Sequence, residues 1–523
     1  MSIEPGLIGL LHRADWTRLS LLAQVSDGST LLILPGKRYR LQAEDYVTGC
    51  DGVRPWELYL DDPDDRDGSV HWVSGPQPPL RMLLCPAWLL QGFRLEPRGH
   101  VSMCGRDALQ VLAVRREGIR SRTRPACFGA GRVEAIVDAE LGILLRVACS
   151  PNSEAAEVTE VTEVVSLELS PLADPAQFLP PPGSLIGESF GESLQAGGPA
   201  WWAAKTAAGL AAGGLGAWIK YSPSGRGQPA DKHAEDADAE IPRDDPPPQI
   251  SQDGLPAGPQ VGDEILGLLH DSGTSEFAAT LHQWHDVGAM LSRVPAAARR
   301  AGFGGLGLLV DAVTERPSAS HLVSALRIGG PGRYQVDHAL EPRRGPKTVA
   351  CDGQRTWQVY SDKVTVGPAT PPPGGIADLA DPSWLLACRL SGGAEVLAGG
   401  RRAYRISMAR GDAEWSPSIM FPAAVAVVDA ELGILLRLTS YMGGEPVRRY
   451  ELRDITTGPG EFRIDIPPDL PVCEETGPSR DARQAGPSQQ ASVPLKIASE
   501  VAGQVAAEAA KAARNFLRRM TTR

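Results

Sequence analysis

One nine-residue string occurs twice in this chain: DAELGILLR runs from Asp138 to Arg146 and again from Asp429 to Arg437. Further pairs follow in the same order. LIGLLH (Leu7 to His12) is echoed by ILGLLH (Ile265 to His270), and GKRYRL (Gly36 to Leu41) by GRYQV (Gly332 to Val336). CDGVRPWELY (Cys50 to Tyr59) returns as CDGQRTWQVY (Cys351 to Tyr360), and CPAWLL (Cys85 to Leu90) as DPSWLL (Asp381 to Leu386). Phe178 precedes a PPPG run as Phe462 precedes IDIPP. So many markers in one order imply an internal duplication. Its period is far longer than the roughly 20–50 residues of solenoid repeats. Each copy should therefore be a domain with its own core.

Period-two alternation sets the fold class. In the second copy Tyr334 and Val336 share a face, as do Trp357 and Val359, then Tyr404, Ile406 and Met408, and finally Phe462, Ile464 and Ile466. Arg333, Gln335, Gln358, Arg405, Ser407, Arg437, Arg449 and Arg453 fall on the other sides. Strands apolar on one side and polar on the other belong to an antiparallel sheet with one wet face. A parallel sheet buried on both faces would show continuous apolar runs. Copy one repeats the pattern with Tyr39 and Leu41, then Trp56 and Leu58. A strand is expected over Trp16 to Val25, and a loop between Asp61 and Pro79.

The expected fold is α+β: two tandem antiparallel β half-barrels, each with helices packed on its concave face. Residues 1–185 form the first half-barrel, 186–222 an Ala/Gly-rich helix, and 223–262 a disordered acidic Pro-rich linker. Residues 263–473 form the second half-barrel with a helical insertion at 287–314, 474–492 a short linker, and 493–520 an amphipathic C-terminal helix. Asp236, Asp238, Asp244 and Asp245 read as solvated charge in the linker. Trp201 to Tyr221 approaches the length of a membrane span, but Lys205 and four glycines favour a helix that packs on a domain, a partner or a membrane surface.

Composition narrows the function. Lys plus Arg number 52 against 63 Asp plus Glu, a net charge of −11, which argues against a nucleic-acid surface. The eight cysteines show no CxxC spacing and read as buried thiols. His282 and His285 have an HxxH look but lack the Glu of a zincin helix. No GxSxG, phosphate loop or convergent polar set appears, so neither an enzyme nor a cofactor or metal is expected. The opening residues lack a basic segment, an apolar segment and a cleavage site, from which a cytoplasmic location is expected, with membrane contact through the Ala-rich helices left open.

From Gly332 onward the ordered set GRYQVDH, CDGQRTWQVY, PSWLL, GGRRAYRI, VDAELGILLRLTSY, RYELRDI and EFRIDIPPDLPV resembles the LolA/LolB lipoprotein-carrier superfamily, which includes the RseB/MucB envelope-stress sensors. The first copy resembles it more loosely over Gly36 to Gly183. The resemblance implies a curved, incompletely closed antiparallel sheet that holds acyl chains or hydrophobic protein segments. The function expected on this basis is non-catalytic binding of a lipid, acyl chain or hydrophobic peptide. The alternative is a regulatory protein-interaction module without ligand transport. The lining residues would be Tyr334, Val336, Trp357, Val359, Tyr404, Ile406 and Met408, with Tyr39, Leu41, Trp56 and Leu58 in copy one.

Overall fold

The computed structural model describes residues 5–52, 55–59, 70–72, 80–116, 130–150, 160–180, 241–242, 244–250, 256–273, 275–286, 319–338, 346–370, 372, 375–409, 423–442, 444–458, 462–464, 467 and 469–474. The expected insertion at 287–314 and the helices at 186–222 and 493–520 lie outside these residues.

The first half carries β1 (Leu21–Val25), β2 (Thr30–Leu34), β3 (Arg38–Gln42), β4 (Tyr46–Asp51), β5 (Pro55–Tyr59), β6 (Val70–Trp72), β7 (Phe93–Met103), β8 (Arg106–Arg115), β9 (Arg132–Asp138), β10 (Leu144–Ser150) and β11 (Glu160–Leu169). The second carries β12 (Glu276–Asp286), β13 (Ala319–Gly329), β14 (Arg333–His338), β15 (Thr348–Asp352), β16 (Arg355–Val359), β17 (Val364–Pro368), β18 (Arg389–Ala398), β19 (Arg401–Ala409), β20 (Ala423–Asp429), β21 (Leu435–Met442), β22 (Glu445–Thr457) and β23 (Val472–Glu474). The first sheet runs β6-β5-β4-β3-β2-β1-β11-β10-β9-β8-β7. The second repeats that order strand for strand, from β17 through β12 to β22 and on to β18, and adds β23 beside β17. Both sheets are open. Among the described residues every strand pairing is antiparallel except the short parallel contact of β23 with β17.

Short helices line the core. Helix α1 (Pro5–Arg13) begins at a proline, whose fixed φ suits a first turn, and ends on His12 and Arg13, cations suited to a helix C-terminus. Its Leu7, Ile8 and Leu11 form one buried stripe. Helix α2 (Leu80–Leu84) precedes the 3-10 turn Pro86–Leu90. Helix α3 (Asp263–Asp271) opens on two acids and buries Ile265, Leu266 and Leu269. Helix α4 (Ile376–Ala380) precedes the 3-10 turn Pro382–Ala387. The paired tryptophans of these turns act alike: Trp88 Nε1 donates to the Met82 carbonyl at 3.0 Å, and Trp384 Nε1 to the Asp378 carbonyl at 3.1 Å.

The repeated DAELG string proves to be a turn that anchors a helix. Asp138 is fully buried, accepts hydrogen bonds from the amides of Glu140 and Leu141, and pairs with Arg106. Asp429 does the same with Glu431, Leu432 and Arg401. Gly142 and Gly433 then take positive φ, at 71° and 69°. A Cβ at Gly142 would stand 2.5 Å from the Leu10 carbonyl oxygen, and one at Gly433 2.9 Å from that of Leu268. Only glycine lets the helix backbone rest on this turn.

Four expectations are corrected. Trp16–Arg18 is a 3-10 turn because the Asp15 carboxylate caps the Thr17 amide, so the first strand starts at Leu21. The stretch from Asp61 to Pro79 contains β6. Residues 462–464 form no strand; Phe462 instead packs on β13 at Gly329, where a Cβ would stand 2.6 Å from its ring. Part of the 223–262 linker lies among the described residues, where Asp244, half-exposed, and Asp245, buried, are ion-paired to arginines and not only solvated.

Burial opposes the charge of Asp429, but the Arg401 hydrogen bond and the two turn amides outweigh it and hold its pKa below the usual carboxylate range. Such a group stabilises the fold fully above the unfolded pKa near ~3.9, and loses that contribution as pH falls through the lower folded value. Asp429→Ala should cost about 3–5 kcal/mol at neutral pH, the usual loss when one partner of a buried pair is removed. Urea denaturation at descending pH should show variant and wild type converging in acid.

Candidate functional site

The residues expected to line the concavity of each half-barrel, seven in the second copy and four in the first, do not share one face of their sheet. Tyr39 stands opposite Ile33 and Cys50 across its neighbours, whereas Arg40 stands opposite Gly49, and Gly49 opposite Trp56. Gln42, Val47 and Leu58 form the next such row. Directly opposed residues in an antiparallel pair point to the same side. Trp56 and Leu58 therefore lie with Arg40 and Gln42, on the sheet face opposite Tyr39 and Leu41. In the second half Gln335, Ala350 and Trp357 align, as do Asp337, Thr348 and Val359, which puts Trp357 and Val359 opposite Tyr334 and Val336.

The outward four form small satellite cores. Trp56 packs with Val47 and Leu58, and its Nε1 donates to the Phe178 carbonyl at 2.9 Å, so the chain after β11 folds back over this face. Gly49 makes room: a Cβ there would sit 2.6 Å from the Trp56 ring. The second half has Ala350 at that place, and its Trp357 is only half-buried, packed against the cluster of Val359, Val364 and Val366.

The inward seven are core residues. Tyr39, Leu41, Tyr334, Val336, Ile406 and Met408 expose 1% or less. Ile406, Ala426, Leu438 and Tyr450 form a buried row across four strands. Tyr404 is half-buried and donates to Glu264 of α3 at 3.2 Å. All seven belong to or pack against a single hydrophobic cluster that also holds Leu7, Ile8 and Leu11 of α1 and Ile265, Leu266 and Leu269 of α3. That cluster runs through both halves without a break.

A seam joins the halves where α1 meets α3 and the two 3-10 turns meet. Arg13 pairs with Asp263 at 2.7 Å, a half-exposed contact that adds little. The histidines of the repeated LLH string reach across in opposite directions. His270 is fully buried and its Nε2 donates to the Phe93 carbonyl at 3.1 Å, while His12 bonds the backbone of Cys388. Arg116 of the first half donates to the carbonyls of His270 and Ser272 and so caps the C-terminus of α3. The sequence reading missed this seam; histidine at one helix position in both copies was its available signal.

His282, flagged with His285, lies on the outward face beside His321, with its Nδ1 3.1 Å from His321 Nε2. Among the described residues no cluster of His, Cys, Asp and Glu is arranged to hold a metal, and no helix is long and apolar enough to cross a membrane.

No protein-family model matches this chain, and no curated protein matches it in sequence. Solved structures do match in part. MucB in the Pseudomonas aeruginosa MucA/MucB complex is 15% identical, with 36% of this chain aligned to 64% of that one at TM-score 0.22, so the match spans less than two thirds of MucB. A LolA superfamily protein from Nitrosomonas europaea is 8% identical, with 39% of this chain aligned to 94% of that one at TM-score 0.19. A putative outer membrane lipoprotein-sorting protein domain from Vibrio parahaemolyticus is also 8% identical, with 36% and 87% aligned at TM-score 0.18. At these TM-scores the likenesses transfer no activity.

The expected cytoplasmic location is corrected by this comparison, because the matched proteins are of outer membrane lipoprotein-sorting and MucB type. The cysteines also depart from the all-thiol expectation. Cys149 is disulfide-bonded, and disulfides persist in oxidising compartments.

Because one core spans both halves, calorimetry of the intact chain should show a single unfolding transition for the two sheets; two separable transitions would contradict the shared interior. Arg116→Ala should lower that transition by about 1.5–3 kcal/mol, the usual worth of hydrogen bonds to a charged group. Burial pushes the His12 pKa down to about 4. Its neutral form is thus the folded form, so its contribution is complete above the unfolded value near ~6.5 and declines as pH falls toward 4. His12→Leu should flatten the stability–pH curve over that interval, measured as urea midpoints.

Proposed function

We propose that the chain is a non-catalytic protein-interaction module with a regulatory role, built from two half-barrels closed on each other. One observation carries this reading. The apolar inward residues expected to face a guest expose 1% or less in six cases out of seven, and they belong to or pack against the same hydrophobic cluster as α1 and α3. A pocket for a lipid or drug-sized molecule spans roughly 300–1,000 Å³, and side chains lining it would keep accessible area. These side chains keep almost none. For an acyl chain or hydrophobic peptide to be held there, α1 and α3 would have to leave the core. That would expose six large apolar side chains at roughly 1.5–3 kcal/mol each. The chain's own helices thus act as the guests of their half-barrels. The concave faces are spent on cohesion, and the outward faces and sheet edges remain for partners.

Native mass spectrometry of the purified full-length chain tests this against lipid binding. The expected spectrum shows the polypeptide mass alone, and a dansyl-labelled fatty acid should gain no fluorescence on addition. Stoichiometric co-purified lipid, or saturable fatty-acid uptake abolished by Met408→Asp, would overturn the proposal in favour of a lipid or acyl-chain carrier.

A further inference from the structure

The outward face of the second sheet holds a built carboxylate site that the inward-face reading does not use. Strand register sets two adjacent rows there. Ser407, Val425, Thr439, Arg449, Trp284 and His321 stand opposite one another across six strands. Arg405, Val427, Arg437, Glu451 and His282 form the neighbouring row. Three arginines therefore converge over β19, β21 and β22.

Arg449 is held by its own sheet as well as by the segment above it. It is 2% exposed, its guanidinium lies 5.5 Å from the Trp284 ring centre, and it donates to Glu451 at 2.7 Å. Trp284 is in turn stacked on His321, with ring centres 4.4 Å apart. A planar guanidinium held on an aromatic face and aimed outward suits paired recognition of carboxylates.

The occupant is this chain's own linker. Arg449 donates to Asp244 and to the Pro242 carbonyl, the latter at 3.1 Å. Arg437 reaches Asp244 at 2.6 Å and Asp245 at 2.9 Å. Arg405 donates to the Pro246 carbonyl at 3.3 Å, and Tyr441 Oη to the Asp245 carbonyl at 2.7 Å. Asp245 is 6% exposed and Ile241 5%. The segment adds no strand to the sheet; side chains that read two carboxylates and three carbonyls hold it. Extended, proline-flanked backbone offers its carbonyls in this way, since proline has no amide to satisfy.

The first half supplies the control. Its matching rows read Gln110, Ile136, Arg146 and Glu163, then Leu112, Glu134, Ala148 and Val161. Gln110 replaces Arg405, Val161 replaces Arg449, and Ser150 stands at the place of Tyr441. Val161 there is 45% exposed. The fold does not require the cradle; one copy has it and the other does not.

We propose that Arg405, Arg437, Arg449 and Tyr441 form a binding site for an acidic, proline-flanked peptide of Asp-Asp-Pro type. Residues 241, 242 and 244–246 fill it as a tethered ligand that competes with such a segment of another protein. The site stands apart from the inward-face reading, since it lies across the sheet from α1 and α3, and either can fail without the other. A tether supplies the competing segment at an effective concentration on the order of millimolar.

The test uses the full chain and a fluorescein-labelled peptide of residues 241–250, read by anisotropy. Wild type should bind it at least tenfold more weakly than Asp244→Asn/Asp245→Asn, in which the tethered segment has lost its charges. Adding Arg449→Gln to that variant should cost tenfold or more, as should Asn-Asn in the peptide. Equal affinity for wild type and the double variant, no binding to the double variant, or indifference to Arg449→Gln overturns the proposal. Should the double variant not fold, hydrogen exchange on wild type decides. Unlabelled peptide raised to about 10 mM, above the tether's effective concentration, should speed exchange of the 244–245 amides, and unchanged exchange refutes the idea.

Discussion

A β-sheet that is apolar on one side must cover that side, and no helix among the described residues covers it alone. Each sheet has eleven or twelve strands, while helices α1 and α3 have nine residues each. A nine-residue helix is about 14 Å long and shades only a few strands. The halves meet helix against helix and 3-10 turn against 3-10 turn, and one hydrophobic cluster extends through both. The anchored turns at Asp138 and Asp429, the bare glycine surfaces beneath Leu10 and Leu268, and the reciprocal histidines all serve to place those two helices.

Much of this was legible in the residues. The repeat marked two halves of like topology, the LIGLLH and ILGLLH strings marked the helices, and alternation marked most strands. What stayed hidden was the relation between strands. Alternation tells which residues of one strand share a side, but only the turn between two strands fixes which side of the next strand joins them. Hence Tyr39 and Trp56, or Tyr334 and Trp357, each looked like members of one lining yet face opposite ways. The Trp16 turn was readable in principle from Asp15, a capping residue two places before the amide it holds. The linker was read from composition, which registers that Asp244 and Asp245 are charged but not that three arginines wait on a distant sheet.

The two halves share a plan and differ in surface. Their buried turns are nearly interchangeable: Arg106, Asp138 and Glu140 in one do what Arg401, Asp429 and Glu431 do in the other. Their outward faces have little in common. One carries exposed valines at 161 and 165, the other an arginine row under a peptide segment. Interior positions are constrained by a common packing problem, while outward positions answer to whatever approaches from solvent.

The seam also bears on what the covalent connection between the halves is for. Helix α3 is capped by an arginine of the other half, and each LLH histidine bonds the other half's backbone. Cutting the backbone between residues 181 and 240 would break none of these contacts. The two fragments would remain clasped, like subunits of a dimer whose monomers are incomplete. The grip of these seam contacts therefore does not depend on a continuous backbone through that stretch, which for them only sets how often the halves find each other.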